Sequence, residues 1–145
     1  MKCRYTKYLL WFMLGAIISL VAYTRFFSEN IADNWQHLHH EAHIALHNEK
    51  YEHVIEICDQ AIKADASSDN RYLMYVKKAK ALNKLHRYEE ALKSADLAVT
   101  IYPKKEEAYL VKVDALFNLG AEEELTATLE EIESINPHTP LKPLL

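Results

Sequence analysis

The chain has 145 residues, half of them apolar, and a formal net charge of −4. An acidic total argues against a nucleic-acid partner, whose phosphates need a basic surface, and two cysteines set far apart on either side of an apolar run imply no disulfide framework. Only two glycines and four prolines occur, none between Gly15 and Pro103; with few breakers and no alternating β-branched run, the chain is expected to be all-α.

Residues 8–24 are 17 residues without a charge, and Phe26 and Phe27 extend the apolar run past Arg25. A bilayer core takes ~17–25 such residues, so residues 1–27 are expected to be a basic flank and a single transmembrane helix. A cleaved signal peptide would have a shorter apolar core followed by small residues; here TRFFSEN follows, so the segment reads as an uncleaved signal-anchor. Lys2, Arg4 and Lys7 precede it, whereas Arg25, Glu29 and Asp33 follow. The positive-inside bias then places the N-terminus in the cytoplasm and the rest outside it, facing the periplasm in a bacterium. Residues 28–34 form a short linker with neither glycine nor proline.

Three helical hairpins are expected next, over about 35–66, 72–103 and 106–137, within a domain of residues 35–138. In the middle one Tyr72, Tyr75, Ala79, Leu82 and Leu85, then Tyr88, Ala91, Leu92, Ala95, Ala98, Val99 and Ile101, recur at helical spacing before Pro103 stops the second helix. Pro103 recurs as Pro137 and Tyr75 as Tyr109; backwards, Tyr88 is matched by Tyr51 and Ala98 by Ala61. The first hairpin places Leu38, Ala42, Ala45, Val54 and Cys58 in core positions. The third places Leu116, Leu125, Leu129, Ile132 and Ile135 there, with Gly120 at its turn. The extra length between the first two falls in the polar segment 67–71. This pattern resembles the tetratricopeptide (TPR) repeat, a helix–turn–helix unit of ~34 residues. The middle hairpin is nearest to that family's consensus. The first has Ala66 in place of proline and Glu49-Lys50 in place of a glycine turn, and a core-leaning position is charged in all three: Glu41, Lys78 and Lys112.

The resemblance implies a solenoid whose first helices line a concave groove. Its groove positions fall on Gln36, His39, His43, Leu46 and His47; on Leu73, Val76, Lys77, Lys80, Asn83 and Lys84; and on Leu110, Val111, Asp114, Phe117 and Asn118. A peptide or partner protein is the expected occupant. Val111 and Glu107 stand where the carboxylate-clamping members of the family carry bases, so that clamp is not implied.

His39, His43 and His47, within the His37–His47 cluster, lie at i, i+4, i+8 on one helix face. Adjacent pairs suit a metal such as Zn²⁺ or Cu²⁺, but i and i+8 lie ~12 Å apart, too far to share one ion. The bland alternative is a polar groove lining. No phosphate loop, nucleophile elbow or HExxH occurs, so neither an enzyme nor a cofactor is expected. Residues 71–105 carry nine bases against Glu89, Glu90 and Asp96, between acidic flanks, which fits either electrostatic matching between repeats or a charged patch for a partner. The leading expectation is a membrane-anchored adaptor or scaffold. The alternatives are a metal-binding or pH-sensing protein and a structural subunit of a membrane complex. The tail, residues 139–145, is too short and proline-broken for a capping helix. The apolar edge of the third hairpin is therefore expected to be covered by Leu141, Leu144 and Leu145, or by a second chain in a homo- or hetero-oligomer.

Overall fold

The computed structural model describes the backbone of residues 2–64 and 67–137, and the side chains of 13–25, 34–64 and 67–137. Among these residues the structure is all-α. Six helices follow in order: α1 (Lys2–His47), α2 (Tyr51–Lys63), α3 (Ser68–Lys84), α4 (Tyr88–Ile101), α5 (Glu106–Leu119) and α6 (Glu122–Ile135). The chain divides into two compact units, Met1–Gln36 and His37–Leu145.

The first unit corrects the membrane reading. Among the described residues no helix is long and apolar enough to cross a membrane. The transmembrane anchor, the cytoplasmic N-terminus and the extracytoplasmic placement expected from it therefore lose their basis. The uncharged run stops at Arg25, and the described helix does not reach the ~20 consecutive apolar residues that a bilayer core takes. These apolar residues belong to one 46-residue helix of mixed character. Every described side chain in 13–25 is exposed. The side chains of the basic flank (Lys2, Arg4, Lys7) and of 28–33, together with Ala66 and the tail 139–145, lie outside the described residues.

The second unit holds the hairpins. Each first helix ends in the same turn: Lys50, Arg87 and Ala121 donate their N–H to the carbonyls of Ala45, Leu82 and Leu116 (2.9, 2.9 and 3.1 Å). Glu49, His86 and Gly120 donate to Leu46, Asn83 and Phe117 (3.3, 3.0 and 3.2 Å). This double closure requires a left-handed residue after the helix, and Glu49 (φ 59°), His86 (φ 59°) and Gly120 (φ 68°) supply it. The polar segment 67–71, where the extra length between the first two hairpins falls, caps and begins α3. Ser67 Oγ accepts the Asn70 N–H at 3.4 Å, which caps α3 one turn ahead of Tyr72.

Helices pack as α2 on α3, α3 on α4, α4 on α5 and α5 on α6, and α3 also touches α5. Small residues allow the approach: Ala79, Ala91, Ala95, Ala98, Ala108 and Ala115 are fully buried. Tyr72, Val76, Ala79, Ala95, Ala98, Ala108 and Val111 form the junction of α3, α4 and α5. Tyr72 meets Tyr102 edge-on at 5.4 Å between centroids, and Lys105 Nζ lies 4.5 and 4.3 Å from the two rings. Cys58 is wholly buried, and burial pushes its thiol up to about 12.

The charged core-leaning positions are paired across helices. Lys78 Nζ donates to Asp59 Oδ1 at 2.5 Å, and Lys112 Nζ lies 2.8 Å from Asp96 Oδ1. Glu41, in the first hairpin, accepts from His53 Nε2 at 3.2 Å and lies 3.7 Å from His37 Nδ1. At the far end, Leu125 and Ile132 of α6 are buried with Tyr109, Val113 and Leu116 of α5, and Leu129 and Ile135 are packed against that cluster. No large apolar side chain of α6 is exposed among the described residues. The oligomer contact expected through the third hairpin therefore has no exposed apolar edge on α6 to rest on.

Candidate functional site

Because α3 and α5 touch directly, residues that face neither α2, α4 nor α6 share one open side. There a pocket of about 360 Å³ opens, lined by Leu46, Tyr51, Lys80, Asn83, Lys84, Glu107, Leu110, Val111 and Asp114. Helical spacing explains the set. Lys80, Asn83 and Lys84 are i, i+3, i+4 on α3, and Leu110 and Asp114 are i, i+4 on α5.

The pocket's polar groups are partly tied. Lys80 Nζ donates to Glu107 Oε1 at 2.6 Å, bridging α3 and α5. Asp114 Oδ1 accepts from Asn118 Nδ2 at 3.3 Å. Asn83 Nδ2 donates to the Val111 carbonyl at 3.0 Å, a buried bond between the same two helices. Among the described residues Lys84 makes no ion pair. Leu110 is 42 % exposed although it is a large aliphatic residue.

Of the residues expected to line the groove, the structure brings together Leu46, Lys80, Asn83, Lys84, Leu110, Val111 and Asp114. Val76 is placed elsewhere: it is 2 % exposed and belongs to the three-helix junction. Its spacing is that of a groove residue, but the direct contact of α3 with α5 covers it. Lys77 is half-buried outside the pocket, and burial pulls its ammonium down from the usual lysine value. Phe117 stands 55 % exposed on α5 beyond the pocket rim. Gln36 is exposed and belongs to the first unit. Tyr51 is the pocket residue that the sequence concealed: it opens α2 as Tyr88 opens α4, and so reads as core.

His39 is half-buried, while His43 and His47 are exposed, and none of the three lines the pocket. Burial lowers the His39 imidazole from its ordinary value, helped by Lys77 and then by His43 and His40. Among the described residues no group of three or more His, Cys, Asp or Glu side chains is arranged to hold a metal ion. A second hollow, of about 520 Å³, lies against Pro103, Lys104, Tyr109, Glu131, Ser134 and Ile135. It contains none of the expected groove residues, and two of its lining residues are joined by Tyr109 Oη donating to the Pro103 carbonyl at 3.0 Å.

A tetratricopeptide repeat model matches residues 72–105. That stretch holds α3 from Tyr72 onward, the turn at His86, and α4. The chain is also similar to the protein STIP1 homolog of Dictyostelium discoideum, 29 % identical over 97 residues, which is 67 % of this chain and 17 % of that protein. The chain thus spans about a sixth of the length of the curated relative that it matches.

Proposed function

We propose that this chain is a non-catalytic protein-interaction module of the TPR type, an adaptor that holds a peptide segment of a partner protein across α3 and α5. The observation that carries this reading is the pocket itself. It is apolar at Leu46, Tyr51, Leu110 and Val111, and it is rimmed by Lys80, Lys84, Glu107 and Asp114. An apolar hollow with a few polar groups at its edge is the form that recognition sites for short segments take. An exposed leucine inside a concave surface is also costly to leave in water, since covering one such side chain is worth about 1.5–3 kcal/mol. The match of residues 72–105 to a tetratricopeptide repeat supports the same reading.

The test is selection of random displayed peptides on the full chain, followed by binding measurements with two variants. Leu110→Asp places a charge in the pocket and is expected to weaken binding at least tenfold. Leu97→Asp alters an equally exposed leucine on α4 outside the pocket and is expected to leave affinity within twofold. Equal effects of the two variants would remove the α3–α5 pocket from the binding account.

A further inference from the structure

Asn83 is the one amide in its row. The equivalent positions of the first and third hairpins are Leu46 and Phe117. The Asn83 residue is 6 % exposed, and it lines the pocket. Its Nδ2 is committed to the Val111 carbonyl at 3.0 Å. A carbonyl can only accept, so the nitrogen is fixed on that side and Oδ1 must take the other. That oxygen is buried and has no hydrogen-bond partner. A buried acceptor left unmade destabilises the protein that carries it, and an apolar residue of similar size, as its two row-mates are, would avoid the cost.

We propose, resting on the function proposed above, that Asn83 Oδ1 is a receptor for one backbone N–H of an extended peptide seated in the α3–α5 pocket. Lys80 and Lys84 line the same pocket as Asn83, and movement of their flexible stems admits the donor to the buried oxygen. The occupant's chemistry follows from what surrounds it. Lys80 is neutralised by Glu107, and Asp114 is held by Asn118. Lys84 is thus the cation left to meet a charge, and it selects an acidic side chain. Leu110 and Leu46 select an apolar one. Adjacent packed helices lie about 8–10 Å apart and an extended strand rises about 3.3 Å per residue, so apolar residues of the peptide facing the Leu46 and Phe117 rows fall about three residues to either side of the bonded N–H.

The experiment takes peptides selected from a random displayed library on the full chain and replaces each backbone amide in turn by an ester, which deletes one N–H donor. One position is expected to lose about tenfold in affinity, the scale of one hydrogen bond and its orphaned partner. In the Asn83→Leu chain that same ester is expected to cost less than twofold, because the acceptor is gone. An ester effect of equal size in both chains overturns the proposal. Should Asn83→Leu fail to fold, the scan on the unaltered chain decides alone: if no single ester costs more than threefold, the inference falls. Selected peptides that bind through Leu110 but show no ester-sensitive position overturn only the role of Asn83. A library that yields no peptide sensitive to Leu110→Asp overturns the proposed function and this inference with it.

Discussion

The three hairpin turns share one backbone conformation but not one residue type, and this makes a paired perturbation informative. Gly120 takes φ 68° with no heavy atom within 4 Å of where a Cβ would stand. Gly120→Ala therefore meets no clash with a neighbour, and its cost is the local one of forcing an L-residue into the left-handed region, about 1–2 kcal/mol. Lower entropy of the unfolded chain returns about 0.4–1 kcal/mol, so the net loss is about 0.5–1 kcal/mol. Glu49, exposed and at φ 59°, is the mirror case. Glu49→Gly relieves the same strain against the same entropic term and is expected to stabilise by about 0.5–1 kcal/mol. His86→Gly should gain less, because His86 Nδ1 bonds Tyr88 Oη at 2.5 Å. Urea unfolding midpoints of the full chain measure all three, with exposed Lys93→Ala as a control within ~0.5 kcal/mol. A Gly120→Ala chain indistinguishable from that control, or a Glu49→Gly chain that is less stable than the parent, would show that the turn residues are not strained as argued.

Ala98 is fully buried at the junction of α3, α4 and α5, so Ala98→Leu is expected to destabilise by about 1–3 kcal/mol through overpacking, read as a lower urea midpoint. The Lys78–Asp59 pair is partly exposed on both sides; a double-mutant cycle to alanine should give a coupling of about 0.2–1 kcal/mol that shrinks in 1 M salt, and a coupling unaffected by salt would count against an ionic contact. His39 titrates below its ordinary 6.5 in the folded chain, chiefly through burial, with Lys77, His43 and His40 adding to it. Between the folded and unfolded values the unfolded chain binds more protons, so stability is complete above about 6.5 and falls on acidification below it. His39→Gln should flatten that fall in the unfolding midpoint between pH 7.5 and 5.5.

Helical spacing carried most of the fold, because tertiary packing here is between neighbours in sequence. Residues such as Tyr72, Ala79, Leu82, Ala95 and Ala98 face inward in the structure just as their spacing demands. The turns were only a third legible: glycine announces a left-handed residue, and only Gly120 is one. The start of α3 was hidden because Ser67–Ser68–Asp69–Asn70 has the composition of a loop, while Ser67 acts as a cap. The apolar run 8–24 was misread for a different reason. Composition alone treats it as a separate span, whereas its residues are part of a helix that continues to His47. In the pocket, periodicity found the residues on the open side of α3 and α5, but it could not separate them from Val76. Residues facing a groove and residues facing the neighbouring first helix differ by less than one helical step. How closely α3 meets α5 decides between them, and no single helix encodes that distance.

The inter-hairpin ion pairs show how the charge pattern is used. Asp59 on α2 and Asp96 on α4 occupy equivalent positions, as do their partners Lys78 and Lys112 on the following first helices. The first two hairpins each therefore offer a carboxylate to the lysine of the next, and Lys80 of the middle hairpin reaches Glu107 of the third. The same position on α6 is Glu130, which is exposed. Two further α4 positions, Leu92 and Val99, pack against the α5–α6 cluster. Their counterparts on α6 are Thr126 and Glu133, both exposed and polar, with Thr126 Oγ1 donating to the Glu122 carbonyl at 2.8 Å. So α6 repeats the inward face of α4, through Leu125, Leu129 and Ile132, but not the face that α4 turns to its successor. An apolar edge was expected there because both faces of a solenoid helix share the same period. The polar substitutions fall on one of them only, and the aliphatic residues of the other pack against α5.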